Sequence, residues 1–298
     1  MPKIRETGNL LTEKINPNTI DIDSKSTIDI VDTIIYEDSV INNAISAQKE
    51  NISKAVDYIC ESLGQGGRLF FAGAGTSGRL GVIEAAECPP TFGTDPEMIQ
   101  AIIAGGTEAI TSSIEGAEDS TEDSVNELKK RHFCSGDILV GIAASSSTPF
   151  VQSALEYAGE SGARTILVTC NPQSGNVPGI TISLLVGPEV IVGSTRLKAG
   201  SATKMVLNIL TTASMIRLGK TYGNLMVDVQ PKSSKLRDRA VRIVVELCGV
   251  ESEAAIKLLE SSGWNVKASI LMNNKNIGLR EATILLEEHG GFLKKALL

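Results

Sequence analysis

Glu87 closes a segment, Phe71 to Gly93 (FAGAGTSGRLGVIEAAECPPTFG), that holds two kinds of chemistry in one strand–loop–helix pattern. The apolar start reads as a strand, and the loop Gly73-Ala74-Gly75-Thr76-Ser77-Gly78 then opens a helix. Glycines let a backbone come close to an anion, and the free N–H groups of a helix start point at it. Gly75, Thr76 and Ser77 are the expected donors, with Arg79 adding charge. The loop is neither a Walker loop, which ends in Gly-Lys-Ser/Thr, nor a complete dinucleotide GxGxxG, and a plain tight turn has the same look. A second loop, Ala143-Ala144-Ser145-Ser146-Ser147-Thr148-Pro149, also follows a strand and precedes a helix. Four hydroxyl residues before a proline suit helix capping. Two such loops at the carboxyl ends of parallel strands also suit a clamp on a phosphate and its neighbouring hydroxyls.

Carboxylates lie beside both loops. Glu84 and Glu87 are three apart on one helix and share a face, and Glu115 and Glu118 repeat the spacing beyond the next strand. Two placed carboxylates can act as general acid and general base, although most helical glutamates are simply solvated. Glu87 stands out because Ala85-Ala86 and Cys88-Pro89-Pro90 flank it, so partial desolvation favouring its neutral, proton-donating form is expected. Arg196 and Lys198, in Gly193-Ser194-Thr195-Arg196-Leu197-Lys198, are read as anion contacts, or else as a surface pair or a contact to another subunit.

These residues need a frame to hold them. Residues 1 to about 24 read as an extended polar arm, followed by two helices carrying Ile28, Ile30, Val31 and Ile34, then Val40 to Ile59. Short apolar runs then alternate with helical stretches: 68–72, 98–104, 137–142, 164–169 and 180–186. That is the βαβ rhythm of a mostly parallel sheet covered by helices, an α/β fold. Lys198 to Leu218 is a long helix, apolar nearly all round, which predicts a central position and a partner subunit. After a polar, proline-bearing hinge at 230–234, short amphipathic helices predict a small helical domain. The expected division is 1–50, 51–229 and 230–298.

Composition narrows the function. The chain has 298 residues and a net charge of −7, which argues against nucleic-acid binding, as does an aromatic content of 4%. The five cysteines form no CxxC pair and suit a reduced, cytoplasmic setting, most of them as buried small hydrophobes. Two histidines argue against a histidine metal site or a Ser-His-Asp triad, so no cofactor is expected. No apolar run suggests a signal peptide or a membrane span.

Read in order, GAGTSGRLG, AAECPPTFG, IAGG, EGAED, GIAAS-x-x-TP, GSTRLKAG and GNLMVDV resemble the bacterial N-acetylmuramic acid 6-phosphate etherases. These belong to the sugar isomerase (SIS) superfamily of phosphosugar-binding domains. The similarity runs from about residue 4 to the C-terminus, and AECPPTFG and EGAED carry most of its specificity. The resemblance implies a three-layer SIS-type sandwich, with a UBA-like helical tail, that removes the D-lactyl ether of a phosphorylated amino sugar. It implies Glu87 as proton donor and Glu118 as the second catalytic residue. Substrate contacts are assigned to Gly75, Thr76, Ser77, Arg79, Glu84, Ser145, Ser146, Ser147, Thr148 and Lys198. The family pattern Ala-Ala-Ser-Gly-Arg-Thr-Pro departs here, with Ser146 and Ser147 in the Gly-Arg positions. A non-catalytic sugar-phosphate-binding regulator and an aldose–ketose isomerase are the competing readings, and a homodimer is expected.

Overall fold

The computed structural model describes residues 7–173 and 178–298, so the first six residues of the expected arm lie outside it. Five strands form one parallel sheet: β1 (Leu69–Gly73), β2 (Ile99–Ile103), β3 (Ile138–Ile142), β4 (Arg164–Thr169) and β5 (Ile180–Ser183). Every residue of β1 and β3 is buried, as strands covered on both faces must be. Each of the five apolar runs coincides with one of these strands, although β1 runs one residue further, to Gly73, and the fifth stops at Ser183 rather than at Val186.

The strand order is β2-β1-β3-β4-β5. The chain leaves β1 toward one edge and returns to place β3 on the other side of β1. That reversal opens a crevice at the carboxyl ends of β1 and β3, the position where open α/β sheets bind ligands.

Helices flank the sheet. Ahead of it run α1 (Thr27–Asp38), α2 (Ile41–Ser46) and α3 (Lys49–Gly64), with α2 and α3 separate where one continuous helix is expected. Within the sheet region lie α4 (Gly75–Phe92), α5 (Thr121–Lys130), α6 (Pro149–Glu160) and α7 (Lys198–Arg217). Phe70, Leu139 and Leu167 form one cluster with Leu128 of α5 and with Val151, Ala154 and Leu155 of α6. Successive strand residues point to opposite faces, so Phe71 faces the other side, where Gly81 of α4 meets it. Residues 7–24 are a series of short 3-10 turns rather than an extended arm, with Thr12, Asn16 and Thr19 buried. Of the cysteines, Cys88 and Cys170 are buried, while Cys134 is exposed, against the expectation for a small hydrophobe. No described helix is long and apolar enough to cross a membrane.

The chain divides into two compact units. The first holds residues up to Ala85 and Glu97–Leu210, with the sheet. The second holds Ala86–Pro96 and Thr211–Leu298. It therefore takes in more than the helical tail from 230 onward. Its helices are α8 (Ser234–Cys248), α9 (Ser252–Ser261), α10 (Val266–Lys275), α11 (Leu279–Glu288) and α12 (Leu293–Leu297). They surround Val244, Leu259, Ile270, Leu271 and Leu293. A buried ammonium ties this unit together: Lys267 Nζ donates to Asp228 Oδ2 at 2.6 Å, Gly291 O at 2.8 Å and Gly219 O at 2.9 Å.

Candidate active site

A cavity of about 340 Å³ opens at the carboxyl ends of β1 and β3. That volume suits a small ligand. Both hydroxyl-bearing loops reach it.

The first wall is the start of α4. Gly75, Thr76, Ser77 and Arg79 all line the cavity. The turn from β1 into α4 is too tight for side chains: a Cβ at Gly78 would lie 2.6 Å from both the Gly73 carbonyl oxygen and Ile103 Cγ1. Gly75 adopts φ +54°, in the left-handed region that favours glycine. The first N–H groups of a helix have no intrahelical acceptor, so α4 presents unpaired donors to the cavity. Arg79 has a second task. Its Nε donates to Ile110 O at 2.9 Å and its Nη2 to Ser112 O at 2.7 Å. It thereby braces the loop that brings Ser112, Ser113, Glu115 and Glu118 to the cavity.

The second wall is the loop after β3. Ser145 and Thr148 line the cavity, and their hydroxyls are 3.4 Å apart. Thr148 occupies the N-cap position of α6 without a side-chain capping bond, so its hydroxyl is not consumed by the helix. Ser146 is buried away from the cavity, with its Oγ donating to Pro172 O at 3.4 Å, and Ser147 is exposed. Ser146 holds φ +64°, where a Cβ is strained. This explains locally why a glycine fits that position. Ser146→Gly is expected to raise unfolding stability by about 1 kcal/mol, read as a higher urea midpoint at unchanged slope.

Two further expected contacts, Glu84 and Lys198, and the expected proton donor Glu87 are absent from the cavity lining. Glu84 is buried on α4, where its Oε1 accepts from Asn208 Nδ2 at 3.4 Å. Lys198 is 2% exposed and pairs with Glu37 at 2.5 Å, far from the surface role read for it. Glu87 is exposed rather than desolvated, because α4 continues through Pro89 and Pro90 to Phe92 and turns this residue outward. It belongs to the second unit and does not line the cavity.

Thr12, Glu13, Gly193 and Thr195 also line the cavity, and sequence reasoning gave none of them a role there. Thr12 and Glu13 arrive through long-range bonds that leave no local pattern. Leu11 N donates to Asn171 Oδ1 at 2.6 Å, Asn171 Nδ2 donates to Thr12 Oγ1 at 3.0 Å, and Gly193 N donates to Thr12 O at 3.0 Å.

A covered parallel sheet with donors gathered at its switch point is the architecture of a SIS domain. Residues 51–159 match the family described as glucokinase regulatory protein N-terminal SIS domain. The N-acetylmuramic acid 6-phosphate etherase of Crocosphaera subtropica is 48% identical over 100% of this chain and 98% of its own length. That of Gloeobacter violaceus is 49% identical over 99% of this chain and 97% of its own. N-acetylmuramic acid 6-phosphate etherase 2 of Vibrio cholerae is 49% identical over 97% of this chain and 95% of its own. Among solved structures, phosphoheptose isomerase GmhA from Neisseria gonorrhoeae is similar at 15% identity and a TM-score of 0.49, covering 63% of this chain and 98% of that one. The chain belongs to the N-acetylmuramic acid 6-phosphate etherase family.

Proposed function

We propose that this chain is a carbon–oxygen lyase that cleaves the D-lactyl ether of N-acetylmuramic acid 6-phosphate, giving N-acetylglucosamine 6-phosphate and D-lactate in the recycling of cell-wall amino sugars. Full-length membership of the etherase family carries this reading. It weighs against the regulator and isomerase alternatives. The cavity supports it chemically. Helix N–H groups and the Thr76, Ser77, Ser145 and Thr148 hydroxyls suit a phosphate, and the carboxylates that also line the cavity suit acid–base work on the sugar.

The chemistry runs through the open-chain sugar. Its C1 aldehyde acidifies the C2 proton. Glu118 removes that proton while an acid, Glu87, protonates the departing C3 ether oxygen. The C3–O bond breaks, lactate leaves and a C2=C3 double bond forms in conjugation with the aldehyde. Water then adds at C3, its proton returning to C2. Glu118 is supported by its place on the cavity wall, and Glu87 by the AAECPPTFG motif alone. The phosphate contributes binding energy and orientation at a distance from the reacting carbons. Incubating purified protein with N-acetylmuramic acid 6-phosphate and assaying D-lactate tests the reading. Absence of lactate rejects it, and a ketose phosphate product favours an isomerase instead.

The working form is a cytoplasmic homodimer. On α1, Ile28 and Tyr36 are 65% and 68% exposed, and Val31, Ile34 and Ile35 are exposed beside them. Glu37 is the buried residue of that helix, so its apolar side has no cover among the described residues. Met205 and Ile209 of α7 are exposed as well. A second copy is the occupant that fits an apolar surface of this extent on the sheet-bearing unit. Light scattering at micromolar concentration is expected to give twice the chain mass, falling to one chain in Ile28→Lys/Ile35→Lys. A monomeric parent protein rejects the dimer.

A further inference from the structure

Glu13 is a cavity carboxylate that the proposed reaction leaves without a task. It sits on the turn Leu11–Glu13, half-buried, with its carboxylate on the cavity wall. That turn is fixed at three points just ahead of Glu13: the Leu11 N–H and the Thr12 hydroxyl both bind Asn171, and the Thr12 carbonyl accepts from Gly193. Asn171 is itself wholly buried and donates also to Ala144 O at 2.8 Å, the carbonyl just before the second hydroxyl loop. The backbone under Glu13 is therefore tied to the same loop that supplies Ser145 and Thr148.

The carboxylate is placed closely. A Cβ at Gly193 would come 2.8 Å from Glu13 Oε2, so a side chain there would displace it. Yet Glu13 accepts no side-chain hydrogen bond and forms no ion pair among the described residues. A charged acceptor on a pocket wall, carried by an anchored turn and without a donor among the described residues, is available for donors that a ligand brings.

The chemistry of that ligand follows from charge. A carboxylate accepts and does not donate, so it repels a phosphate and pairs with hydroxyl or amide N–H groups. The donors for phosphate are at the helix starts, while Glu13, Glu115 and Glu118 are all acceptors. Glu115 and Glu118 are both exposed and Glu118 is given to proton transfer by the proposed reaction, which leaves Glu13 as the half-buried, uncommitted acceptor. We infer that Glu13 is a specificity-determining residue that accepts hydrogen bonds from the donor groups of the sugar, and that it orients the phosphosugar with its phosphate away from the N-terminal turn. This rests on the phosphosugar reading of the cavity given above.

Calorimetric titration of the full chain with N-acetylglucosamine 6-phosphate and, separately, with inorganic phosphate tests it. Glu13→Gln is expected to weaken phosphosugar binding about 10- to 100-fold, as losing hydrogen bonds to a charged acceptor does. Binding of inorganic phosphate is expected to be unchanged or tighter. Unchanged phosphosugar binding, or a parallel loss for both ligands, overturns the assignment, since a parallel loss marks a merely structural turn. Should Glu13→Gln fail to fold, Glu13→Asp carries the same comparison, with retained charge and a smaller loss expected. If the parent protein binds the phosphosugar but releases no lactate from N-acetylmuramic acid 6-phosphate, the etherase reading fails and the Glu13 result stands. If the parent protein binds no phosphosugar, both fail.

Discussion

Glu118→Gln is expected to lower the rate of D-lactate release by about 10²–10⁴-fold, the usual contribution of a general acid or base. Glutamine keeps the size of the side chain and one acceptor oxygen, so a bound phosphosugar should hold its place and KM should change little. What glutamine cannot do is take the C2 proton. Glu87→Gln is expected to cost a similar factor for a different reason, since the proposed reaction makes Glu87 the proton donor to the leaving lactyl oxygen. The two roles separate in deuterated water. A protein that still has its base exchanges the C2 hydrogen for deuterium even when it cannot expel lactate. Glu87→Gln should therefore retain C2 exchange, and Glu118→Gln should lose both exchange and release. Wild-type lactate release in either variant would falsify its assigned role.

Carrying Glu118 and Glu87 as a pair shows how far the sequence reaches. The five strands were legible because each is a short apolar run bounded by turn residues, and burial on both faces leaves no polar alternation to confuse the pattern. The cavity was legible in part for the same reason. Loops at strand ends keep their place once the strands are known, so Gly75, Thr76, Ser77, Ser145 and Thr148 fall on its wall. Glu118 joins them from the loop that Arg79 braces, and that brace uses carbonyls of Ile110 and Ser112 that no residue pattern announces.

What escaped the sequence is what long-range contacts decide. Thr12 and Glu13 stand in a polar N-terminal stretch with no periodicity, and Asn171, far along the chain, sets their position. Helical spacing of Ile28, Ile30, Val31 and Ile34 identified α1, yet Ile28 and Ile35 are exposed and Glu37 is the buried residue. Periodicity identifies a helix and its apolar side, but it does not say whether the covering surface comes from the same chain. Glu87 shows a related limit. Its small and apolar neighbours in sequence did not make its surroundings apolar, because helical geometry separates residues that are adjacent in the chain.

Lys198→Ala is expected to destabilise the sheet-bearing unit by about 3–5 kcal/mol, the cost of leaving one member of a buried ion pair without its partner. Lys198 Nζ donates to Glu37 Oε2 at 2.5 Å, with both side chains almost fully removed from water. Glu37 also accepts from Asn16 Nδ2 at 2.6 Å and Asn18 Nδ2 at 2.8 Å. Burial pushes the Glu37 carboxyl upward, but the hydrogen bonds from Lys198, Asn18 and Asn16 and the Lys198 charge outweigh it and hold the group below its ordinary value. The sign of the pH effect follows. A carboxyl depressed on folding contributes stability that is complete above its unfolded value and is lost as pH falls through the folded one. In the parent protein this contribution should therefore persist through mildly acid solution. Without the ammonium, burial dominates and the dependence should reverse, with stability falling as pH rises through the carboxylate range. Urea midpoints of Lys198→Ala measured across acid and neutral pH check both the size and the sign. Lys198→Met/Glu37→Leu removes both charges and should recover part of the loss, because paired apolar replacements avoid the stranded charge. The same double variant should still perturb the cavity, since Asn16, which Glu37 holds, lies three residues after Glu13 on the segment that forms its wall. Stability regained without full phosphosugar affinity is the expected result. Loss of less than 1 kcal/mol in Lys198→Ala would mean that the pair does not anchor the N-terminal turns.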